Sequence, residues 1–299
     1  RFAQAHLAKD SLKRAHDPRF PFDVAKLMAQ QGLLGITIPE KDGGQGGSLM
    51  DAVIAIEQIA AVCPRSADVV QFGNFGPLRT FSEYGTDHQK KKWLTECLAG
   101  NAVISLGMSE PDAGSAVTDL KTTAKPDGSG YLVSGTKVFS TFSPEAAVFL
   151  VYVRYGPGVG GIGSVLIPRN AEGFRQGKAA KFFNGEEWVQ TYLDNVYVGP
   201  ENVMLKEGGF KKQISGFNVE RIGNTARSLA FGRYAYEQAR QWAMQRKQFG
   251  RAIGSFQVLQ HRSVDMFVAL EGAADGWIDY ETRLAAAPSA PTTFSAVRR

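Results

Sequence analysis

Cysteine is nearly absent from this 299-residue chain: Cys63 and Cys97 stand alone and far apart. That excludes a disulfide framework and leaves no pair spaced for zinc. The four histidines (His6, His16, His88 and His261) are scattered without ligand-like spacing, so protein-bound metal is not expected to carry chemistry here. Long apolar runs are also missing. The longest, Ala146–Val153, falls far short of the roughly 20 residues that cross a bilayer, so no membrane span is expected. Nor is there a block of one charge. Thirty-four Lys and Arg stand against 29 Asp and Glu, a net +5, and the densest cluster, Lys90–Lys92, reads as a solvated helix face rather than a nucleic-acid patch. No charged start leads into an apolar stretch, so no signal peptide is visible. Both ends read as cut, since the chain opens inside a helix-like segment and stops at Arg298-Arg299 without a closing feature. What remains is an ordinary globular mix, 43% apolar and 21% charged, in a chain long enough to bury a substantial core.

Three textures follow one another. Residues 1–102 read as helices, with Phe22, Val24, Leu27, Met28, Leu33 and Leu34 near helical spacing. Ser48 is placed to cap an apolar helix carrying Leu49, Val53, Ile54, Ile56 and Ile59, and a further helix is expected over Asp87–Leu98. Residues 103–204 shorten to strands separated by turn signals, which predicts an antiparallel β-barrel or sandwich. Residues 205–299 return to helix. Phe210, Ile214, Phe217, Arg221, Thr225, Leu229, Gly232, Tyr236, Ala239 and Ala243 recur as a long buried seam, and Gly223, Ala226, Ala230 and Gly232 would let a neighbour approach closely. A second helix runs from Phe256 to about Leu284, ahead of Pro288 and Pro291. The fold class is therefore α+β and multidomain: helical domain, β-barrel, helical bundle.

Two nucleotide signatures fail. Gly156–Gly161 fits G-x-G-x-x-G, but a strand follows where a helix N-terminus is required. Gly130–Lys137 imitates a phosphate loop with its last residues in the wrong order. Three other segments hold more. In Ser109–Ser115, Pro111 and Gly114 favour a turn whose N–H groups and hydroxyls could face the phosphates of a large anionic cofactor, or form a plain loop. In Gly135–Thr141, alternation along a strand would set Phe139 and Thr141 on one face, suited either to a planar heterocycle or to the core. Arg246–Gly250 followed by Ile253–Gln257 makes a corner between helices that could bind phosphate and adenine, or simply be a capped turn. Glu220, within Asn218–Arg221, should sit near the seam, where a carboxylate is costly unless paired or employed.

Taken in order, these segments resemble the acyl-CoA dehydrogenase family of flavoproteins. The likeness runs from Gly32–Glu40 and Gly43–Gly47 through Ser109–Ser115 and Gly135–Thr141 to Arg246–Gly250 and Phe256-Gln257. The resemblance implies FAD as cofactor. Leu106, Met108, Ser109, Gly114 and Ser115 would lie along the flavin and its diphosphate, with Ser115 also reaching substrate. Phe139 would stand where the family often has Trp, with Ser140 and Thr141 beside the ring. Arg246, Gln248, Phe249 and Gln257 would contact the FAD of a neighbouring subunit, which implies a homo-oligomer, commonly a dimer of dimers. Asn218 and Arg221 fall at the substrate.

The implied reaction is α,β-dehydrogenation of an acyl-CoA to a trans-2-enoyl-CoA, as in fatty-acid β-oxidation or amino-acid catabolism, with electrons leaving through an electron-transfer flavoprotein. Glu220 matches the base position of isovaleryl-CoA-type enzymes. The alternatives are a base in the bundle's second half, beyond Arg299, or a Glu kept for pairing. The loop reads Ser115-Ala116 where the family usually has Ser-Asp, and relatives of the fold include desulfinases, oxidases and monooxygenases. Those chemistries, and a non-catalytic subunit of a hetero-oligomer, are the alternative readings. Phe72, Asn74, Phe75 and Leu78 fall where the family borders the acyl tail. Bacterial cytoplasm is the expected compartment, with the mitochondrial matrix as the other setting.

Overall fold

The computed structural model describes residues 1–183 and 185–286, residues 277–286 through their backbone alone. The expected capping is present: Ser48 Oγ accepts from the Asp51 N–H at 3.2 Å, and the Asp51 carboxylate accepts from the Ser48 N–H at 2.8 Å. This reciprocal box starts the helix Leu49–Ala60, which buries Ala52, Val53, Ile56, Ile59 and Ala60. Prolines in the first turn open the helices Pro64–Phe72 and Gly76–Tyr84, where the missing N–H would be unpaired in any case. Asp87–Leu98 is helical throughout, with a π turn at Lys90–Leu94.

Eight strands form one sheet: β1 Ile104–Gly107, β2 Thr123–Asp127, β3 Gly130–Lys137, β4 Val148–Arg154, β5 Ile162–Pro168, β6 Phe174–Lys181, β7 Glu187–Val198 and β8 Val203–Leu205. Their order is β6-β7-β3-β2-β4-β5-β8, with β1 beside β4. The expected barrel is therefore corrected to an open sheet. Among the described residues β6 and β8 end the path without pairing to each other, and β1 and β2 both run parallel to β4. The β8 edge is stopped chemically, because the Gln89 amide donates to the carbonyls of Val203 at 3.0 Å and Glu201 at 2.9 Å. The Gly156–Gly161 segment is the loop between antiparallel β4 and β5, as its sequence context required.

A helix of 36 residues, Phe210–Gln245, about 54 Å long, then crosses the molecule, and Gln257–Ala286 returns as a second helix. Pro288 and Pro291 lie outside the described residues. The buried stripe of the long helix is Gln213, Gly216, Ile222, Gly223, Ala226, Leu229 and Ala230, not the expected seam through Phe217, Arg221 and Thr225. The reason is close approach. A methyl group on Gly223 would fall 2.7 Å from the Phe75 ring, and one on Gly216 would fall 2.1 Å from Thr80 Oγ1. Gly216 and Gly223 turn inward because the N-terminal helices leave no room for a side chain at those positions.

Candidate functional site

Glu220 points from the long helix toward the N-terminal helices, where its carboxylate rests on Gly76. A methyl group there would lie 3.3 Å from Oε1 and 3.5 Å from Oε2, and the backbone at Gly76 takes φ +65°, a conformation that favours glycine. Burial pushes the Glu220 carboxyl up to about 7, with Arg227 and then Arg221 opposing the rise. On the sheet side stands Tyr152, buried on β4 in an apolar cluster with Ala113, Leu120 and Ile162, against which Leu106, Met108 and Phe210 pack. Burial, and then the charge of Glu220, both raise the Tyr152 phenol above its ordinary range. A half-buried carboxyl that is half protonated near neutrality, at the edge of an apolar cluster, is equipped to take a proton from carbon.

The Ser109–Ser115 loop is anchored by a residue to which sequence reading gave no role. Glu110 accepts from the Lys121 N–H at 2.6 Å, the Thr122 N–H at 3.0 Å, Thr122 Oγ1 at 2.5 Å and Lys137 Nζ at 2.7 Å. Lys137, 1% exposed, also donates to the Met108 carbonyl at 3.2 Å. Burial pulls Lys137 down to about 8, against the pull of Glu110. Burial alone would raise Glu110, but Lys137 and the donors hold its carboxyl below the ordinary value. Gly114 and Ser115 are exposed at the loop's tip, and a methyl group on Gly114 would meet nothing within 4 Å.

The strand expected through Thr141 ends at Lys137, and this is corrected accordingly. Phe139 takes φ +59° and Phe142 takes φ +54°, so Phe139 and Thr141 do not alternate along a pleat. The turn brings Phe139 out, 58% exposed, with its ring 4.6 Å from Trp188 and 6.4 Å from Phe182. Ser140 is turned in, and its buried hydroxyl finds no hydrogen-bond partner among the described residues. Thr141 is tied down by its carbonyl, which accepts from Ser105 Oγ at 2.8 Å. An exposed aromatic shelf over an unpaired hydroxyl suits a flat heterocycle with polar edges. Trp188 was invisible to sequence reasoning, because it lies on β7, a strand distant in sequence that tertiary pairing sets beside the end of β3.

Asn218 Oδ1 accepts from Arg221 Nη1, and the Arg221 guanidinium lies over the Phe217 ring at 4.7 Å. Asn74, Phe75 and Leu78 are committed to packing. Asn74 Nδ2 donates to the carbonyls of Leu33 and Val70 at 2.9 and 2.8 Å. Phe72 packs edge-on to Phe142 at 4.8 Å. Arg246, Gln248, Phe249 and Gln257 are exposed on a corner tied by the Gln248–Arg251 pairing and by the Ile253 N–H donating to the Arg246 carbonyl at 2.8 Å. Arg246 lies about 39 Å along the helix axis from Glu220. The fold thus gathers Leu106 and Met108 around Tyr152, whose phenol feels the charge of Glu220, and leaves the 246–257 corner at the far end of the helix.

Comparison with known proteins defines the class. Models of the acyl-CoA dehydrogenase N-terminal, middle and C-terminal domains match residues 1–101, 105–196 and 207–276. The chain is 30% identical to a short-chain specific acyl-CoA dehydrogenase of Clostridium acetobutylicum, over 94% of this chain and 75% of that one. It is 33% identical to the mitochondrial isovaleryl-CoA dehydrogenase of Arabidopsis thaliana, over 91% and 68%. A probable acyl-CoA dehydrogenase structure from Mycobacterium abscessus superposes with a TM-score of 0.88 at 29% identity, over 95% and 77%. The chain belongs to the acyl-CoA dehydrogenase family, whose members are flavin-dependent oxidoreductases. Among the described residues no cluster could hold a metal ion, and no helix is long and apolar enough to cross a membrane.

Proposed function

We propose that this protein is an FAD-dependent acyl-CoA dehydrogenase in which Glu220 removes the α-proton of the thioester. The observation that carries this reading is the Glu220 carboxylate resting on Gly76, its proton affinity raised to about 7 beside the Leu106–Met108–Tyr152 cluster. The thioester α-proton is weakly acidic, so a base with raised affinity in a site that excludes water is what the chemistry needs. Gly76 leaves space beside the carboxylate that any side chain would take.

The residues present fit a flavin. Leu106 and Met108 would flank it, Ser109, Gly114 and Ser115 would cradle its phosphates, and Phe139, Ser140 and Thr141 would hold the ring. When bound, the flavin supplies the acceptor for the β-hydride. The chain's own part is to orient the acyl group, exclude water and hold the α-proton on Glu220. Asn218 and Arg221 would meet the substrate from the same helix. Arg246, Gln248, Phe249 and Gln257 would serve the cofactor of another subunit of a homo-oligomer, since their distance from Glu220 prevents them from serving it at home. The division into domains at 1–102, 103–204 and 205–299 belongs to the same reading, as do an electron-transfer flavoprotein as acceptor and a bacterial cytoplasmic setting.

The test is product analysis with a panel of acyl-CoAs and an electron-transfer flavoprotein. The expected product is the corresponding 2-enoyl-CoA, with turnover dependent on the acceptor. Release of sulfite from 3-sulfinopropanoyl-CoA with no enoyl product from any saturated acyl-CoA would contradict the proposal.

A further inference from the structure

Two segments far apart in sequence present the aromatic shelf. Phe139 stands on the turn after β3. Trp188 and Phe182 stand where β6 turns into β7, with the Trp188 ring 4.6 Å from Phe139 and 6.1 Å from Phe182. Phe139 and Phe142 both take positive φ, a conformation that such side chains keep only where the surroundings over-determine it. The tip of the β6–β7 hairpin closes through the Phe182 N–H, which donates to the Glu186 carbonyl at 2.8 Å.

Both segments meet at one side chain. Arg65, on the helix Pro64–Phe72 and 8% exposed, lays its guanidinium over the Phe142 ring at 5.1 Å and pairs through Nη1 with the buried Glu186. Phe142 is three residues from Phe139 in the same turn, and Glu186 is two residues from Trp188. The guanidinium is itself fixed from the helical side. Nη1 also donates to Asp68 at 2.9 Å, and Nη2 donates to the carbonyls of Pro18 and Arg19 at 3.3 Å each. Phe20 and Phe72 close edge-on against Phe142 at 5.0 and 4.8 Å. Ser143 adds a second stitch between the same segments, since its Oγ accepts from the Val189 N–H at 2.9 Å and its carbonyl accepts from Gln176 Nε2 at 2.7 Å. Charge balance at Asp68 does not call for the reach to Glu186, because Arg227 stands 3.2 Å from the same carboxylate. A planar fork that donates at its edge and stacks on its face is what arginine brings and lysine lacks.

We infer that Arg65 is a positioning residue for the flavin-ring site, holding the Phe139 turn through Phe142 and the Trp188 hairpin through Glu186, and so fixing the two rings of the shelf against each other. This rests on the shelf being the place where the flavin ring lies.

The test uses the purified full chain and three readouts: thermal unfolding, acrylamide quenching of Trp188 emission without flavin, and the flavin Kd from fluorescence on reconstitution. Subtracting the emission of Trp188→Phe isolates the Trp188 signal. The double variant Arg65→Gln with Glu186→Gln removes one charge of each sign and leaves Asp68 paired with Arg227, so the chain should fold. In it Trp188 should become more accessible to quencher, and flavin should bind about tenfold more weakly. Arg65→Lys keeps the charge without the fork or the planar face, so its unfolding temperature should return close to the parent's while its flavin Kd stays weakened. Should the double variant fail to fold, Arg65→Lys alone decides between grip and charge. A parent-like flavin Kd in the folded double variant would overturn the inference, as would recovery of Kd together with stability in Arg65→Lys. Phe139→Ala tests the reading beneath it, and a parent-like Kd there would instead remove the shelf from the flavin site.

Discussion

At the scale of single residues, the chemistry rests on the buried Glu110–Lys137 pair and on the raised Glu220 carboxyl. Glu220 titrates near 7 in the folded chain against an ordinary value of 4.5, so the folded state binds its proton more tightly than the unfolded state does. Its contribution to stability is fully present below about 4.5 and is lost as pH rises through about 7. Glu220→Gln should therefore gain stability relative to the parent across that window, on the order of 2 kcal/mol, as read from urea unfolding at several pH values. Glu110→Gln should act in the opposite direction. It leaves Lys137 buried without its counter-charge, which costs about 3–5 kcal/mol, and it releases the Ser109–Ser115 loop, so thermal unfolding and flavin retention should fail together. The sequence offered Ser109–Ser115 as a candidate through its Pro and Gly. It did not reveal that Glu110 works inward, because the partner that makes it do so, Lys137, lies in another motif and on another strand.

At the scale of elements, register and close approach decide what sequence patterns leave open. The helix beginning at Ser48 was legible to the residue, because a capping box is local chemistry. The strand over Gly135–Thr141 was not, because its end is set by the positive φ of Phe139, which period-two alternation does not signal. The long helix was legible in extent and in its close-packed positions, since Gly223, Ala226 and Ala230, read as letting a neighbour approach, are buried; the seam through Phe217, Arg221 and Thr225 was not. Gly223→Ala should cost about 1–3 kcal/mol despite alanine's better helix propensity, because the new methyl meets the Phe75 ring at 2.7 Å. Gly114→Ala is the contrasting case, with open space around it. Its melting temperature should be unchanged while its flavin affinity falls, as measured by fluorescence on reconstitution. An unaltered affinity would remove Gly114 from the candidate site.

At the scale of the whole molecule, helices, sheet and helices were read in the right order, but the sheet's closure was not. Whether outer strands meet depends on pairing between segments far apart in sequence, and here β8 is only three residues long and capped by Gln89. The Arg227–Asp68–Arg65–Glu186 chain joins the long helix, the N-terminal helices and the sheet, through contacts that span up to 159 residues and leave no local trace. The far end of the long helix exposes Trp242, Met244 and Phe249, at 58%, 64% and 93%, and the proposed function assigns this corner to another subunit. Phe249→Ala should leave the unfolding of the isolated chain unchanged and weaken flavin retention only in the assembled protein, compared by light scattering with flavin content.

The account stands on Glu220, and the most direct measurement is the anaerobic titration of the flavin-loaded protein with acyl-CoAs, following the visible band of the oxidised flavin in the parent and in Glu220→Gln. Prompt bleaching by at least one acyl-CoA is expected in the parent, faster as pH rises through about 7. In Glu220→Gln the bleaching should be lost while the acyl-CoA still binds. Undiminished bleaching in that variant would contradict the account and place the base elsewhere.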